Sequence, residues 1–334
     1  MKVLLIGGTG TISTPICEAL AKDSNVGLYV LNRGNKPLPA GANQIICDFN
    51  DEEKMREVLG EHTFDVVANF IVFTPEQAQS QIRLFQGKVK QYIFISTVAT
   101  YNHENAICID ETHEQNNQYS EYGRKKTACE KAFLEAEDFP VTIVRPSQTY
   151  SKDRIPLSVK GKSCYSVVDR ILNDKPIIVH GDGKSTWHST HADDFAKGFL
   201  PIVGNMETIG EAYHIINDEI ATWDMIYHYL YELLGKKPNI VHIPSDFLGL
   251  SKEYDNVTAF LGDKQYSCVY DMSKIKEVAP EFECEIMIKD GLKKYLSYME
   301  EHPELKVKDE KYDMWCDRII DSYNQWIEVM KDKF

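Results

Sequence analysis

Tyr122 and Lys126 stand four residues apart in the stretch QYSEYGRKKTACE, residues 118–130. On a helix that spacing puts both side chains on one face. A phenol is a poor proton carrier at neutral pH, because its ordinary pKa is about 10. An adjacent ammonium favours the phenolate and brings that value down, and a cationic ring nearby acts in the same direction. The pair is a proton-transfer device if a cationic cofactor lies beside it, and a solvated helix face otherwise. Y-x-x-x-K alone decides nothing, so its meaning depends on what the rest of the chain can bind.

The stretch IGGTGTIS, residues 6–13, follows an apolar run and opens a helical pattern. Gly7, Gly8 and Gly10 permit a tight turn and close approach of a phosphate, which the free N–H groups of the next helix then face. The backbone of Gly7, Thr9, Gly10, Thr11 and Ile12 is the candidate cradle for a dinucleotide, with a plain tight turn as the alternative. Ser13 replaces the third glycine of the fingerprint, and its side chain is expected to crowd the helix–strand contact slightly without blocking binding. The second apolar run ends in LNRG, residues 31–34, where an NAD site usually has an acid. Here Asn32 and Arg33 stand, with Lys36 nearby. A guanidinium can grip a 2′-phosphate through two hydrogen bonds, so NADP is favoured over NAD. The alternative has Arg33 stacking on adenine with NAD bound. Asp48 could accept a proton from the adenine amino group while Phe49 lines the ring, or Asp48 is simply a solvated strand end. Asn69 is included among the cofactor contacts.

The elements that must position these residues are legible in outline. Apolar runs at 2–7, 26–32, 43–48, 64–72, 90–96 and 140–146 are rich in Val and Ile and unbroken. That is the pattern of strands buried on both faces of a parallel sheet. Helical patterns near 11–22, 51–60, 75–87 and 117–136 alternate with them, which predicts a doubly wound α/β domain. Beyond Tyr150 the rhythm loosens. A strand is predicted at 176–181, helices at 191–203 and 222–235, a short run at 212–216, and two closing helices. The expected division is a dinucleotide domain over 1–150, with about 176–203 returning to it, and a substrate lobe over 151–175 and 204–334.

Four stretches, GGTGTI, FISTVATY, YGRKKTACEK and IVRPSQTY, resemble in order and spacing the extended short-chain dehydrogenase/reductase family, in its NAD-dependent epimerase/dehydratase branch. GDGKSTWHSTHADDFAKG (181–198) and NDEIATWDMIYHYLYELLG (217–235) are similar to its later segments. The resemblance covers nearly the whole chain, less firmly past about 250. It implies a Rossmann doubly wound parallel sheet with a smaller, interleaved C-terminal α/β substrate lobe. It also implies that Tyr122 is the acid–base, that Lys126 lowers its pKa and binds the nicotinamide ribose, and that Thr97 hydrogen-bonds the reacting substrate oxygen. Ser96, Pro146 and Ser147 would flank the nicotinamide. Members commonly dimerise through the helices near 75–87 and 117–136, so a homodimer is expected.

The departures from the family pattern bear on the reaction. Sugar 4,6-dehydratases carry Asp-Glu right after the threonine, and here Val98 and Ala99 stand there. Neither moves a proton, so dehydration by that route is not expected. Nucleotide-sugar members usually have an arginine gripping the diphosphate two residues beyond a glutamine, and here those places hold Trp187 and Ser185. Gln148 replaces an asparagine. Gln148, Trp187 and His188 are the candidate substrate contacts, with Trp187 able to stack on a sugar ring. Lys152, Arg154 or Lys184 could still serve a phosphate. His188 and His191 share a three-residue spacing, but without a third ligand no metal site is expected. His191 is expected to cap or orient the helix that follows.

Composition narrows the classes. The net charge of −14 opposes generic binding to nucleic acid or anionic membranes. No run of about 20 apolar residues predicts a membrane span, and the N-terminal run is too short for a signal-peptide core. Eight scattered cysteines without C-x-x-C pairs favour free thiols in a reducing compartment, so a cytoplasmic protein is expected. Three functions follow. The first is an NAD(P)-dependent epimerase acting on a sugar or nucleotide sugar. The second is an NADPH-dependent carbonyl reductase on a non-nucleotide small molecule. The third is a non-catalytic RNA-associated module, which the kept Tyr-Lys pair and the acidity oppose.

Overall fold

The computed structural model describes residues 1–60 and 62–333. Seven parallel strands form the central sheet: β1 (Lys2–Ile6), β2 (Gly27–Asn32), β3 (Asn43–Ile46), β4 (Phe64–Asn69), β5 (Val89–Ile95), β6 (Val141–Arg145) and β7 (Ala212–His214). Their order is β7-β6-β5-β4-β1-β2-β3. The chain reverses direction across the sheet between β1 and β4, and ligands of open α/β sheets bind at that switch, outside the carboxyl ends of the strands.

The unbroken apolar runs are explained by the two faces. Val3, Leu5, Val30, Val66, Ala68 and Ile93 point to one side and pack with α1 (Ser13–Lys22) and the helix Ala192–Phe199. Leu4, Ile6, Leu31, Val67, Tyr92 and Phe94 point to the other. There they meet α2 (Glu52–Leu59), α3 (Pro75–Phe85) and α4 (Glu121–Leu134). The inner strands feed both cores, so no polar alternation survives there, whereas the edge strand β3 is mostly exposed and the run expected at 43–48 is not buried on both faces. Local signals set the helix starts. Thr74 and Gln77 form a reciprocal capping box at α3 with Pro75 just inside, and the Ser120 hydroxyl accepts from Gly123 N to start α4.

A second core lies between Ile155 and Ile320. It is built on Trp187, Trp223, Tyr227, Leu230, Tyr295 and Trp315. The run predicted at 176–181 does not return to the first domain. It forms the strand Ile177–His180, pairs in parallel with Ile240–Ile243 and buries its side chains in this second core. The segments that do return are the helix Ala192–Phe199 and β7. A short apolar run reports burial, not which neighbour it pairs with. All eight cysteines are free.

Candidate active site

β1 ends at Ile6, and Gly7 turns the chain with φ +85°, a conformation that favours glycine. A Cβ at Gly7 would lie 2.8 Å from Ile71 Cγ2, and one at Gly8 would lie 2.9 Å from Val30 Cγ1. The loop therefore presses flat against β2 and the β4 exit. Gly10 faces open space beyond Ser13 Oγ. The Ser13 hydroxyl accepts from Gly10 N at 2.8 Å and donates to Gly7 O at 2.7 Å. Ser13 is the clasp of the loop, and the expected crowding is absent because it is Gly8 that takes the close approach to β2. No side chain caps α1 and no acid stands in its first turn, so its N-terminal N–H groups point at the loop unopposed.

At the end of β2 the Asn32 oxygen accepts from Gly34 N (2.8 Å) and Gln44 Nε2 (3.0 Å), while its Nδ2 is buried without a partner. Arg33 is exposed. Lys36 Nζ donates to Thr9 O at 3.2 Å and so lies across the glycine loop. Asp48 is exposed and turns inward on Asn50 N at 2.9 Å. Two expected contacts are placed otherwise. Phe49 is 7% exposed and belongs to the core beneath β3. Asn69 is fully buried, donating to Gln81 Oε1 and the Tyr92 oxygen and accepting from Ile71 N. Both side chains are spent on packing and hydrogen bonds within the first lobe.

The reaction end is assembled by one close packing. A Cβ on Gly123 would fall 2.0 Å from Ala99 O, so the first turn of α4 sits directly on the turn Val98–Thr100 that follows β5. That contact brings Tyr122 to Thr97. Thr97 Oγ1 accepts from Ala99 N at 3.2 Å and stands beside the Tyr122 phenol, whose pKa it lowers. Tyr122 is 42% exposed as a residue, yet desolvation on its protein side pushes the phenol up to about 12, with Thr97 pulling against it. Lys126, 1% exposed, donates to Val72 O at 2.6 Å and Ile95 O at 2.7 Å. Its Nζ lies 4.7 Å from the Phe94 ring centre and 5.9 Å from that of Tyr122. Burial lowers the ammonium to about 8. The phenol lies above its ordinary pKa rather than below it because desolvation is the largest cause, and the ammonium serves the Val72 and Ile95 carbonyls. Beside it, Ser96 Oγ is buried without a partner. Pro146 O accepts from Val98 N and Ser147 Oγ donates to His188 O, which sets the turn after β6 next to the end of β5.

These features fit a dinucleotide. The cradle is open at Gly10, the helix above it is uncapped, and unpartnered polar atoms of Asn32 and Ser96 mark its two ends.

On the substrate side Trp187 is 6% exposed. Its Nε1 donates to Gln148 Oε1 at 2.6 Å and its ring packs 5.2 Å from Trp223. The expected stacking face is inside the second core, and Gln148 is its hydrogen-bond partner. His188 is 4% exposed, with Nδ1 2.9 Å from Asn217 O, and burial lowers its pKa and keeps it neutral. His191 caps the helix Ala192–Phe199 by accepting from Asp193 N. Among the described residues no group of three or more His, Cys, Asp or Glu is placed to hold a metal. Sequence reasoning missed Gly123, whose role depends on Ala99, and the buried ion pair of Arg145 with Glu130, which ties β6 to α4 at 2.6 Å.

Comparison with known proteins agrees with this geometry. A 2′-dehydrokanamycin reductase of Streptomyces kanamyceticus is 20% identical over 85% of this chain and 80% of its own. An uncharacterised UDP-glucose epimerase of Bacillus subtilis is 22% identical over 90% and 98%. The crystal structure of a UDP-glucuronic acid 4-epimerase from Bacillus cereus, in complex with UDP-glucuronic acid and NAD, superposes with a TM-score of 0.70 at 21% identity, covering 90% of this chain and 99% of that one. At such identities the likeness shows the fold. The model of the NAD dependent epimerase/dehydratase family matches residues 3–217, well over half of the chain, and the protein belongs to that family.

Proposed function

We propose that the protein is a nicotinamide-dependent oxidoreductase of epimerase type that acts at a hydroxyl-bearing carbon of a sugar or nucleotide sugar. The observation that carries this reading is the convergence of Thr97, Tyr122 and Lys126 beside the unpartnered Ser96, next to the open glycine cradle. When bound, the nicotinamide supplies the hydride acceptor. Tyr122 takes or returns the proton of the substrate hydroxyl, and Thr97 holds that oxygen in line. Lys126 has used two of its three N–H donors on carbonyls, which leaves one for a ribose hydroxyl. Val98 and Ala99 support epimerisation or simple redox over dehydration, because no acid stands where elimination would need one.

NADP is the favoured cofactor. Arg33 and Lys36 supply positive charge where a 2′-phosphate would lie, and no acid follows β2 to repel it. The placement of α3 and α4 side by side supports a homodimer, which sedimentation would show as twice 38.3 kDa. The eight free thiols support a cytoplasmic setting, and no described helix is long and apolar enough to cross a membrane.

The test uses Tyr122→Phe in NADP-loaded protein with a sugar and nucleotide-sugar panel. Turnover should fall by at least about a thousandfold with NADP binding retained, in the range general acid–base catalysis contributes. Equal turnover by the variant would sink the reading. A second reading, an NADPH-consuming carbonyl reductase, is favoured by Ser185 and Trp187 at the diphosphate positions. Net loss of NADPH absorbance selects it, since an epimerase recycles its cofactor.

A further inference from the structure

A side chain with no part in the proposed reaction joins the two lobes beside Thr97 and Tyr122. Asn117, 4% exposed, stands in the segment that leads into α4. Its Nδ2 donates to Ala99 O at 2.9 Å and to Gly262 O at 2.8 Å. Its Oδ1 accepts from Tyr119 N at 3.2 Å and from Ser120 N at 3.1 Å. A carboxamide has two N–H donors and two lone pairs on its oxygen, so all four are spent. On the first-lobe side each partner has its own task. Ala99 O is the atom on which α4 rests, since a Cβ on Gly123 would fall 2.0 Å from it. Ala99 N donates to Thr97 Oγ1 at 3.2 Å. Ser120 caps α4 by accepting from Gly123 N at 2.9 Å, and Tyr122 is the second residue of that helix. The amide therefore grips at once the turn that follows Thr97 and the cap that precedes Tyr122.

Gly262 belongs to the other lobe. It lies in the last turn of an eight-residue π-helical stretch, Val257–Lys264. Carbonyls in a last turn lack partners within their own helix. Asn117 supplies one to Gly262 O, and the buried His103 places Nδ1 3.2 Å from the same oxygen. The stretch is fixed in the second core. Phe260 is fully buried there and stacks on His180 with ring centres 4.7 Å apart. Lys264 O accepts from Ser185 Oγ at 2.7 Å and from Trp223 Nε1 at 3.3 Å. Thr258 Oγ1 adds a second tie to the first lobe by donating to Tyr119 O at 3.3 Å. A Cβ on Gly262 would stand 3.6 Å from Ser120 Cβ, so the stretch packs directly on the cap of α4.

A buried amide with every bond made is held rigidly, and one left with an unpaired donor is costly. When the stretch moves off, Nδ2 loses a carbonyl and the amide must turn toward another partner, which pulls on Ala99 O and on the two N–H groups at the cap. We propose that Asn117 is a positioning residue that makes the register of Thr97 with Tyr122 depend on the seating of the second lobe against α4. The proton-handling pair is in line when the π-helical stretch is in place. This rests on the oxidoreductase reading of that pair.

The test compares Asn117→Asp and Gly262→Val with the wild type, each as the full chain saturated with NADP. The carboxylate keeps an acceptor for Tyr119 N and Ser120 N and loses both donors, so it cuts the bridge and spares the cap. The valine pushes the stretch off Ser120 with Asn117 intact. Thermal melting gives the folded fraction of each. Hydrogen exchange read by mass spectrometry should show residues 98–101 and 257–264 opening together in Asn117→Asp, about fivefold faster, the size that one lost hydrogen bond gives. On the panel sugar that the wild type turns over best, kcat should fall at least about tenfold in both variants, with KM and NADP affinity kept. Misplacing reacting groups by about 1 Å costs up to about a hundredfold. A contact that only held the fold would leave kcat per folded molecule alone. Opening of one segment without the other, or unchanged kcat per folded molecule in both variants, would overturn the role. Joint opening in a chain whose wild type turns over no panel sugar would support the bridge and reject only the oxidoreductase reading.

Discussion

At the scale of the residue, Tyr122 and Lys126 show how environment decides chemistry. Desolvation raises the phenol above its ordinary pKa although Tyr122 is partly exposed, and burial destabilises the ammonium. The sign of the second effect is testable. Lys126 titrates near 8 when folded and near its ordinary 10.5 when unfolded. Between those values the unfolded chain binds more protons, so stability rises with pH across that window. Below 8 the folded protein carries the full cost of the buried charge. Against Lys126→Met, whose own stability lacks this term, the wild type should gain up to about 3 kcal/mol between pH 8 and pH 10.5 in denaturant titrations. A constant difference between the two proteins across that range would refute the burial account. Gly123→Ala forces a Cβ onto Ala99 O. It should cost about 1–3 kcal/mol in stability, and turnover should drop further than the loss of folded protein explains, because Thr97 and Tyr122 are pushed apart. Unchanged turnover in the folded fraction would mean that the contact does not set the pair.

At the scale of the element, the tie between β6 and α4 is the one to cut. Glu130 and Arg145 are almost fully buried and joined by two hydrogen bonds, and Arg145 also donates to Tyr101 and to Glu111 O. Removing the carboxylate in Glu130→Ala leaves a buried guanidinium uncompensated, a change that typically costs 3–5 kcal/mol. Equilibrium unfolding should show a loss of about that size, and a loss under 1 kcal/mol would contradict the pairing. The strands and helices of the first lobe were legible because both-face burial leaves unbroken apolar runs, and because Thr74 and Ser120 announce their helices. Helical spacing put Tyr122 and Lys126 on one face, and the family resemblance of the β5 exit added Thr97. Phe49, Asn69 and Trp187 were misjudged for a common reason. Residue type tells what a side chain can do, while the direction it points depends on neighbours far along the chain, such as Gln81, Tyr92 and Trp223. The strand Ile177–His180 was found but assigned to the wrong core for the same reason.

At the scale of the whole molecule, two cores share one chain that crosses between them. All four tryptophans lie at positions 187, 223, 315 and 326, past the first lobe's main run. Trp187, Trp223 and Trp315 are buried in the second core and Trp326 is exposed, so the fluorescence change on unfolding reports the second core, whereas circular dichroism reports both. Because the helix Ala192–Phe199 and β7 return to the first lobe from within the second, the two should unfold together. Coincident midpoints by the two probes are expected, and a separation of the curves would show lobes that melt independently. The packing of Gly123 on Ala99 has a wider consequence. It locks acid and alcohol into one rigid wall before anything enters, while Trp187 on the substrate side belongs to the second core. New substrates can then be tried by altering the far side alone, with the proton-handling machinery inherited intact.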